Sequence, residues 1–206
     1  RWMFILQRMR PFEGVVSSKN LEMAPVFNYD YLKPTIEKYS IVPGIGKMHH
    51  FGSDYQIGLD LGWYGLLEKV RRYQAQAKDD EALQLYNAEE DVLLGIINWV
   101  ERTIAEIRRM EAAEPDAAIR ENLRRMGDAN EWVLHHPARD LLEACQWICW
   151  YNMAERIYCR SGAGCQLDRM LNPYYQRSKA QGMTDEEATF LLSCFLLNDP
   201  HYYQLG

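Results

Sequence analysis

Leu141-Leu142-Glu143-Ala144-Cys145-Gln146-Trp147-Ile148-Cys149-Trp150-Tyr151 is the stretch that decides the fold. Leu141, Leu142, Ala144, Cys145, Ile148, Cys149 and Tyr151 leave no polar face, and only Glu143 and Gln146 interrupt them. A helix apolar all round has to be enclosed by a larger body. Pro137-Ala138-Arg139-Asp140 just ahead suits a helix start, with proline in the first turn. Glu143 and Gln146 lie three apart and so share a face, and polar groups taken out of water must be paired. They are either members of a structural hydrogen-bond network or the wall of a polar site.

Reading outward, the helical pattern continues on both sides. From Gly58, Leu59, Trp63, Leu66, Leu67 and Val70 recur at three- and four-residue steps, with Arg71 and Arg72 placed well for the C-terminal end of the dipole. Gly58, Gly62 and Gly65 punctuate this helix. Each is costly in a helix interior, so close approach of a neighbouring backbone is the expected compensation. A second helix is predicted from about Ala88 to Ala113 on the stripe Leu93, Ile96, Ile97, Val100, Ile104, Ile107 and Met110. Residues 116–126 read as another helix interrupted by Gly127, and residues 130–135 continue helical up to Pro137. Thr184-x-x-Glu187 reads as a capping box ahead of Ala188, Phe190, Leu191 and Cys194.

Residues 1–50 are different. Pro11, Pro25, Pro34 and Pro43 break them into short pieces, with extended segments expected near 14–16 and 37–42. Gly44-x-Gly46 lacks the rest of a dinucleotide fingerprint and carries no nucleotide role. The chain therefore divides into an irregular lead-in over 1–50 and a mostly helical body over 51–206, with no repeat or linker between parts of that body.

Composition narrows the function. A chain of 206 residues, 48% apolar, can bury a sizeable core. Its 23 basic and 29 acidic residues give a formal charge of −6 without a basic tract, which disfavours nucleic acid as a partner. No run approaches the length of a membrane span. Five cysteines, an odd number without a secretory leader, point to a reducing, cytoplasmic setting rather than a disulfide framework. Arg1-Trp2-Met3-Phe4-Ile5-Leu6 at one end and His201-Tyr202-Tyr203 near the other read as cut from a longer polypeptide.

Several groups could carry chemistry. His49-His50 precedes Phe51-Gly52-Ser53-Asp54-Tyr55, and a histidine in such a turn can bind a carboxylate or move a proton. His135-His136 are adjacent and point different ways on a helix, which is poor geometry for a shared metal. Cys145 and Cys149 read as core, and no cysteine or histidine set has zinc spacing. The richest stretch is Arg160-Ser161-Gly162-Ala163-Gly164-Cys165-Gln166-Leu167-Asp168-Arg169. Its glycines permit a tight turn that presents Ser161, Gln166 and Asp168 to a ligand, with Asn172-Pro173-Tyr174-Tyr175 carrying two rings back onto it.

Taken in order, Leu142-Glu143-Ala144-Cys145-Gln146, Cys165-Gln166-Leu167-Asp168-Arg169, Asn172-Pro173-Tyr174-Tyr175 and Gly182-Met183-Thr184-x-x-Glu187-Ala188 resemble the glycyl radical enzymes of the pyruvate formate-lyase type. His50-Phe51-Gly52-Ser53-Asp54-Tyr55 ahead of a glycine-bearing helix is also similar to that family. The resemblance covers roughly 48–197. It implies a ten-stranded α/β barrel of which this chain is a mostly α-helical segment, within an enzyme about four times as long. It further implies a radical placed on a glycine by an S-adenosylmethionine iron–sulfur activating enzyme, a homodimeric whole, and no cofactor or metal bound by this segment. The catalytic cysteine and radical glycine are expected in the remaining polypeptide, since no Cys-x-Glu motif occurs here. By resemblance His50, Phe51, Ser161, Gln166 and Asp168 contact substrate, and Asp54, Tyr55, Glu143, Gln146 and Gly164 support them. Cys165-Gln166 stands where Gly-Arg is common in the family, which replaces a bidentate guanidinium with a neutral amide. On that departure the expected reaction is carbon–carbon cleavage, the decarboxylation of an arylacetate. Carbon–heteroatom cleavage, as in a dehydratase, and a helical interaction module without chemistry are the competing readings.

Overall fold

The computed structural model describes residues 53–155 and 166–203, and side chains through 154 and 166–196 within them. These residues form six helices: α1 (Tyr55–Gln74), α2 (Asp80–Ala113), α3 (Ala117–His135), α4 (Leu141–Glu155), α5 (Leu167–Ala180) and α6 (Asp185–Tyr203). No strand occurs among them, so the expected barrel is not represented in the described residues. The lead-in over 1–50, with its expected extended pieces, lies outside them.

The run quoted first is the centre of the bundle. α4 packs against α1, α3, α5 and α6, and every residue from Glu143 to Trp150 is buried. Burying such a helix removes several large side chains from water, each favourable by roughly 1.5–3 kcal/mol. Trp147 stacks on Trp63 of α1 with ring centroids 5.1 Å apart, and Trp150 meets Trp99 of α2 edge-on at 5.0 Å. The start of α4 differs from expectation. Pro137 stands outside the helix, and Asp140 caps it by accepting from the Glu143 N–H at 2.9 Å. An Asp side chain satisfies one of the orphan donors that proline merely lacks, so the cap sets the boundary.

Three other boundaries move for local reasons. α2 begins at Asp80 rather than Ala88, because Asp79 accepts from the Ala82 N–H at 2.8 Å and starts the helix two turns early. Gly127 does not interrupt α3, which runs unbroken to His135. A Cβ at Gly127 would lie 2.7 Å from the Arg108 guanidinium, so this glycine makes room for a cation reaching across from α2. Asn172-Pro173-Tyr174-Tyr175 forms no loop but the middle of α5. The capping box is as expected: Glu187 N–H donates to Thr184 Oγ1 at 3.1 Å, and Thr184 N–H to Glu187 Oε2 at 2.8 Å.

The backbone-approach expectation holds at Gly62. Its φ of +69° and ψ of 177° kink α1, and a Cβ there would meet the backbone of Val133 and His136 at 2.7–3.0 Å. The kink leaves the Leu59 carbonyl free to accept from Ala138 N–H at 2.9 Å. Gly58 instead makes room for the Trp147 ring, and Gly65 faces only its own helix.

Candidate functional site

Four of the residues expected to form the site, His50, Phe51, Ser161 and Gly164, lie outside the described residues. The described portions of the site are therefore the segments on either side of them. Asp54 caps α1, accepting from Gln56 N–H at 3.1 Å. Tyr55, the first residue of α1, is buried and donates its hydroxyl to Asn152 Oδ1 in the last turn of α4 at 2.8 Å. Tyr55 also meets the Tyr151 ring edge-on at 5.2 Å. The first residue of α1 and the last turn of α4 are thus joined by a buried hydrogen bond.

α5 reaches the start of α1 as well. Gln56 donates to the Tyr174 hydroxyl at 3.4 Å and to Asp60 at 2.8 Å. Tyr174 is buried, and burial raises its phenol above the usual range. Gln166, the N-cap of α5, lies roughly 12 Å along the helix axis from Tyr174. Gln166 and Asp168 were expected in a loop. Instead Gln166 opens the helix without a side-chain capping bond, and Asp168 sits in the first turn, where an acid complements the dipole. Both are exposed, and neither side chain makes a hydrogen bond among the described residues. The two rings after Pro173 do not return to a loop: Tyr174 faces Gln56, and Tyr175 donates to Asp185 at 2.6 Å.

The polar pair in α4 separates into two behaviours. Glu143 is 2% exposed and accepts from Arg139, through the backbone N–H at 2.7 Å and the guanidinium Nε at 3.0 Å. Burial nonetheless pushes its carboxyl above the ordinary value, with Arg139 pulling the other way. The Arg139 guanidinium also lies over the Trp132 ring at 3.5 Å. Gln146 is equally buried, but its Nε2 has no partner among the described residues, as is true of Trp63 Nε1 and Trp147 Nε1. Trp63 is part of the core.

Asn130, Asn152 and Ser178 were not singled out from the sequence, yet each is buried and bonded. Trp150 Nε1 donates to Asn130 Oδ1 at 2.6 Å, and Asn130 Nδ2 to the Met126 carbonyl at 2.7 Å. Ser178 Oγ accepts from Leu141 N–H at 3.0 Å. The signal for Asn152 was present, since it is a polar residue within the same apolar helix. Cys145 and Cys149 are buried thiols, and burial raises Cys145 far above the usual range. His135 stacks on Tyr64, and His136 meets the Trp132 ring at a tilt of 38°. Among the described residues no group of three or more His, Cys, Asp and Glu could hold a metal ion, and no helix is long and apolar enough to cross a membrane.

These features define a helical bundle built around one enclosed helix. The profile of the family described as pyruvate formate lyase-like matches residues 37–205, and the chain belongs to that family of glycyl radical enzymes. It is similar to the isethionate sulfite-lyase of Desulfovibrio desulfuricans, 31% identical over 151 residues, covering 68% of this chain and 18% of the relative. It is also similar to the probable dehydratase YbiW of Escherichia coli, 25% identical over 157 residues, covering 71% and 19%. A solved structure concerning 1,2-propanediol dehydration in Roseburia inulinivorans superposes with a TM-score of 0.64 at 25% identity, covering 74% of this chain and 20% of that one. The B12-independent glycerol dehydratase from Clostridium butyricum shares the fold, with a TM-score of 0.59 at 21% identity and the same coverage. The chain spans about a fifth of the length of these proteins.

These relatives correct the expected reaction. The names of the sulfite-lyase and the probable dehydratase denote loss of sulfite and of water, which break carbon–sulfur and carbon–oxygen bonds. The expected arylacetate decarboxylation, which breaks a carbon–carbon bond, is overturned, and the relatives are in keeping with the carbon–heteroatom alternative instead. An amide at Gln166 in place of a guanidinium was a poor guide to the bond broken, because the exchange alters hydrogen-bonding capacity and charge and not the identity of a scissile bond.

Proposed function

We propose that this chain is the helical, pocket-bearing part of a glycyl radical lyase that eliminates a heteroatom group from a small hydroxylated substrate. The 31% identity to an isethionate sulfite-lyase carries the reading. In such an enzyme a glycyl radical, installed by an S-adenosylmethionine iron–sulfur partner and handed to a cysteine elsewhere in the polypeptide, supplies hydrogen-atom abstraction. This chain contributes binding, orientation and exclusion of water.

His50 and Ser161 hydrogen-bond the substrate oxygens, with Phe51 as an apolar wall, and Gln166 offers a neutral amide where a sulfonate or hydroxyl is held. Asp168 and Gly164 shape the entry to α5. Asp54 and Tyr55 anchor the start of α1, which follows His50 in the chain, and the Tyr55–Asn152 bond ties that start to the last turn of α4, which precedes Ser161. Glu143 holds the start of α4 through Arg139.

The test uses the complete polypeptide, activated anaerobically and checked for a glycyl radical by electron paramagnetic resonance. Incubation with isethionate, propane-1,2-diol and glycerol should then release sulfite or an aldehyde from at least one. A radical-bearing protein inert toward all three, and toward other vicinal hydroxy compounds, would refute the reading.

A further inference from the structure

The start of α2 is acidic: Asp79, Asp80, Glu81, Glu89, Glu90 and Asp91 stand within residues 79–91 without a cation. Among the described residues Glu90 alone of these six has an ion pair, to Arg71 of α1 at 2.7 Å. From Leu93 onward α2 packs on the core. Before it, Asn87 accepts from Gln74 at 2.8 Å and Tyr86 stacks on Tyr73, both of α1. Between the two helices runs a groove of about 630 Å³, its apolar walls including Ile57 and Val70 of α1, Val92 of α2 and Tyr151 of α4. Lys69 stands on the α1 side and Glu89 on the α2 side. Leu85, one heptad before Val92 and so on the same face of α2, is 57% exposed. Glu81 and Glu89 flank it at four-residue spacing. This side of the groove therefore alternates carboxylate and apolar groups, and it is complementary to an apolar segment that brings cations.

The chain holds such a segment at residues 1–12, which lie outside the described residues. Trp2-Met3-Phe4-Ile5-Leu6 is followed by Met9 and Phe12, with Arg1, Arg8 and Arg10 among them and no acid before Glu13. These residues precede the stretch that the family profile matches, 37–205. We infer that residues 1–12 occupy the α1–α2 groove, with the apolar side chains of 2–6 along its walls and Arg8 against Glu89. Lys69, Arg71 and Arg72 make the end of α1 cationic, so the arginines belong on the α2 side, where the uncompensated carboxylates are. The connection permits it. The 40 residues from Glu13 to Gly52 span up to about 130 Å when extended, against about 30 Å for the whole of α1. The inference is independent of the reaction the enzyme performs and of its oligomeric state.

The test uses the complete polypeptide carrying Leu85→p-benzoylphenylalanine, a change at an exposed side chain that the fold should accept. After irradiation and digestion, mass spectrometry should find the cross-linked partner within residues 1–12. A cross-link to any other segment of the polypeptide or to a second copy overturns the inference, and so does a photoproduct without a peptide partner. Hydrogen exchange tests the charge pairing. Arg8→Glu should speed exchange over residues 81–92 about fivefold, and adding Glu89→Arg should return it to the native rate. Residues 143–150, in the enclosed helix, should exchange unchanged in both variants. Exchange over 81–92 that Arg8→Glu leaves as it was, or that Glu89→Arg fails to restore, overturns the docking. A rise shared by residues 143–150 also overturns it, because the arginine would then act on the fold at large.

Discussion

Gly58, Gly62 and Gly65 occur within two turns of one helix, and alanine should have three different effects at them. At Gly62 the backbone sits at φ +69° and ψ 177°, a region essentially reserved for glycine, where a side chain costs about 1–3 kcal/mol. The added Cβ would also lie 2.7 Å from the His136 carbonyl oxygen and 2.9 Å from its nitrogen, and backbone cannot rotate away. Separating α1 from the α3–α4 connection would further stretch the Ala138 to Leu59 hydrogen bond, worth about 1 kcal/mol. Gly62→Ala should therefore cost about 3–4 kcal/mol, a large share of the stability of an ordinary domain. At Gly58 the Cβ would lie 1.8 Å from Trp147 Cζ2. That ring is clamped between Trp63 and Tyr151, so overpacking of about 1–3 kcal/mol should outweigh the gain in helix propensity. At Gly65 the nearest atoms belong to Leu61 of the same helix, at 3.1 Å and beyond. Gly65→Ala should be neutral or stabilising by up to about 1 kcal/mol. Urea denaturation followed by tryptophan fluorescence, with an unchanged slope, measures all three. A Gly65→Ala loss equal to that of Gly62→Ala, or a Gly62→Ala loss under about 1 kcal/mol, would refute the backbone-approach reasoning.

Arg139→Ala leaves the buried Glu143 carboxylate with one backbone donor, and because Arg139 is half exposed the loss should fall near 2 kcal/mol at about pH 7, below the full cost of breaking a buried pair. The sign with pH follows from the raised Glu143 carboxyl. A group that holds its proton more tightly when folded contributes stability below its ordinary value and loses that contribution as pH rises through the raised one. The variant raises that carboxyl further, so its deficit should shrink on acidification to about pH 4; a pH-independent deficit in denaturation midpoints would contradict the assignment. Asn130→Ala orphans the buried Trp150 Nε1 and should cost about 2–3 kcal/mol by thermal or chemical denaturation. Thr184→Ala removes one arm of the α6 capping box for about 1 kcal/mol, read as earlier hydrogen exchange in the first turn of that helix.

The enclosed helix was legible because its composition admits no other environment, and the close backbone approach at Gly62 was legible because glycine at helical spacing asks for a close neighbour, although the kink there was not. What escaped was decided by single side-chain bonds. Asp79 and Asp140 set helix starts that an apolar stripe cannot locate, since capping acts through one oxygen and one N–H. Pro173 reads as a breaker, yet it lies within the first two turns of α5, and the buried Tyr174 and bonded Tyr175 hold the helix across it. Family membership was legible from ordered short motifs, whereas the reaction was not. The motif departure at Gln166 exchanges a guanidinium for an amide, and that exchange says little about which bond breaks.

The polar residues of α4 bear most directly on how this body serves a site. Glu143 has its demand met next door by Arg139, and Asn152 by Tyr55. Trp150 is matched by Asn130 from α3. Gln146 lies between these paired positions with a buried amide that no described residue satisfies, and Trp147 and Trp63 present two more such donors nearby. Each unpaired donor costs about 1–3 kcal/mol, so a bundle that kept all three unpaired would forgo much of what the enclosed helix contributes. Their acceptors have to come from outside the described helices. Gln146 stands roughly 14 Å along the axis from the last residue of α4, the point from which the chain continues toward Ser161. A helix buried on all sides yet left short of acceptors fits a body completed by further polypeptide, and the relatives, about four times its length, have polypeptide to supply them.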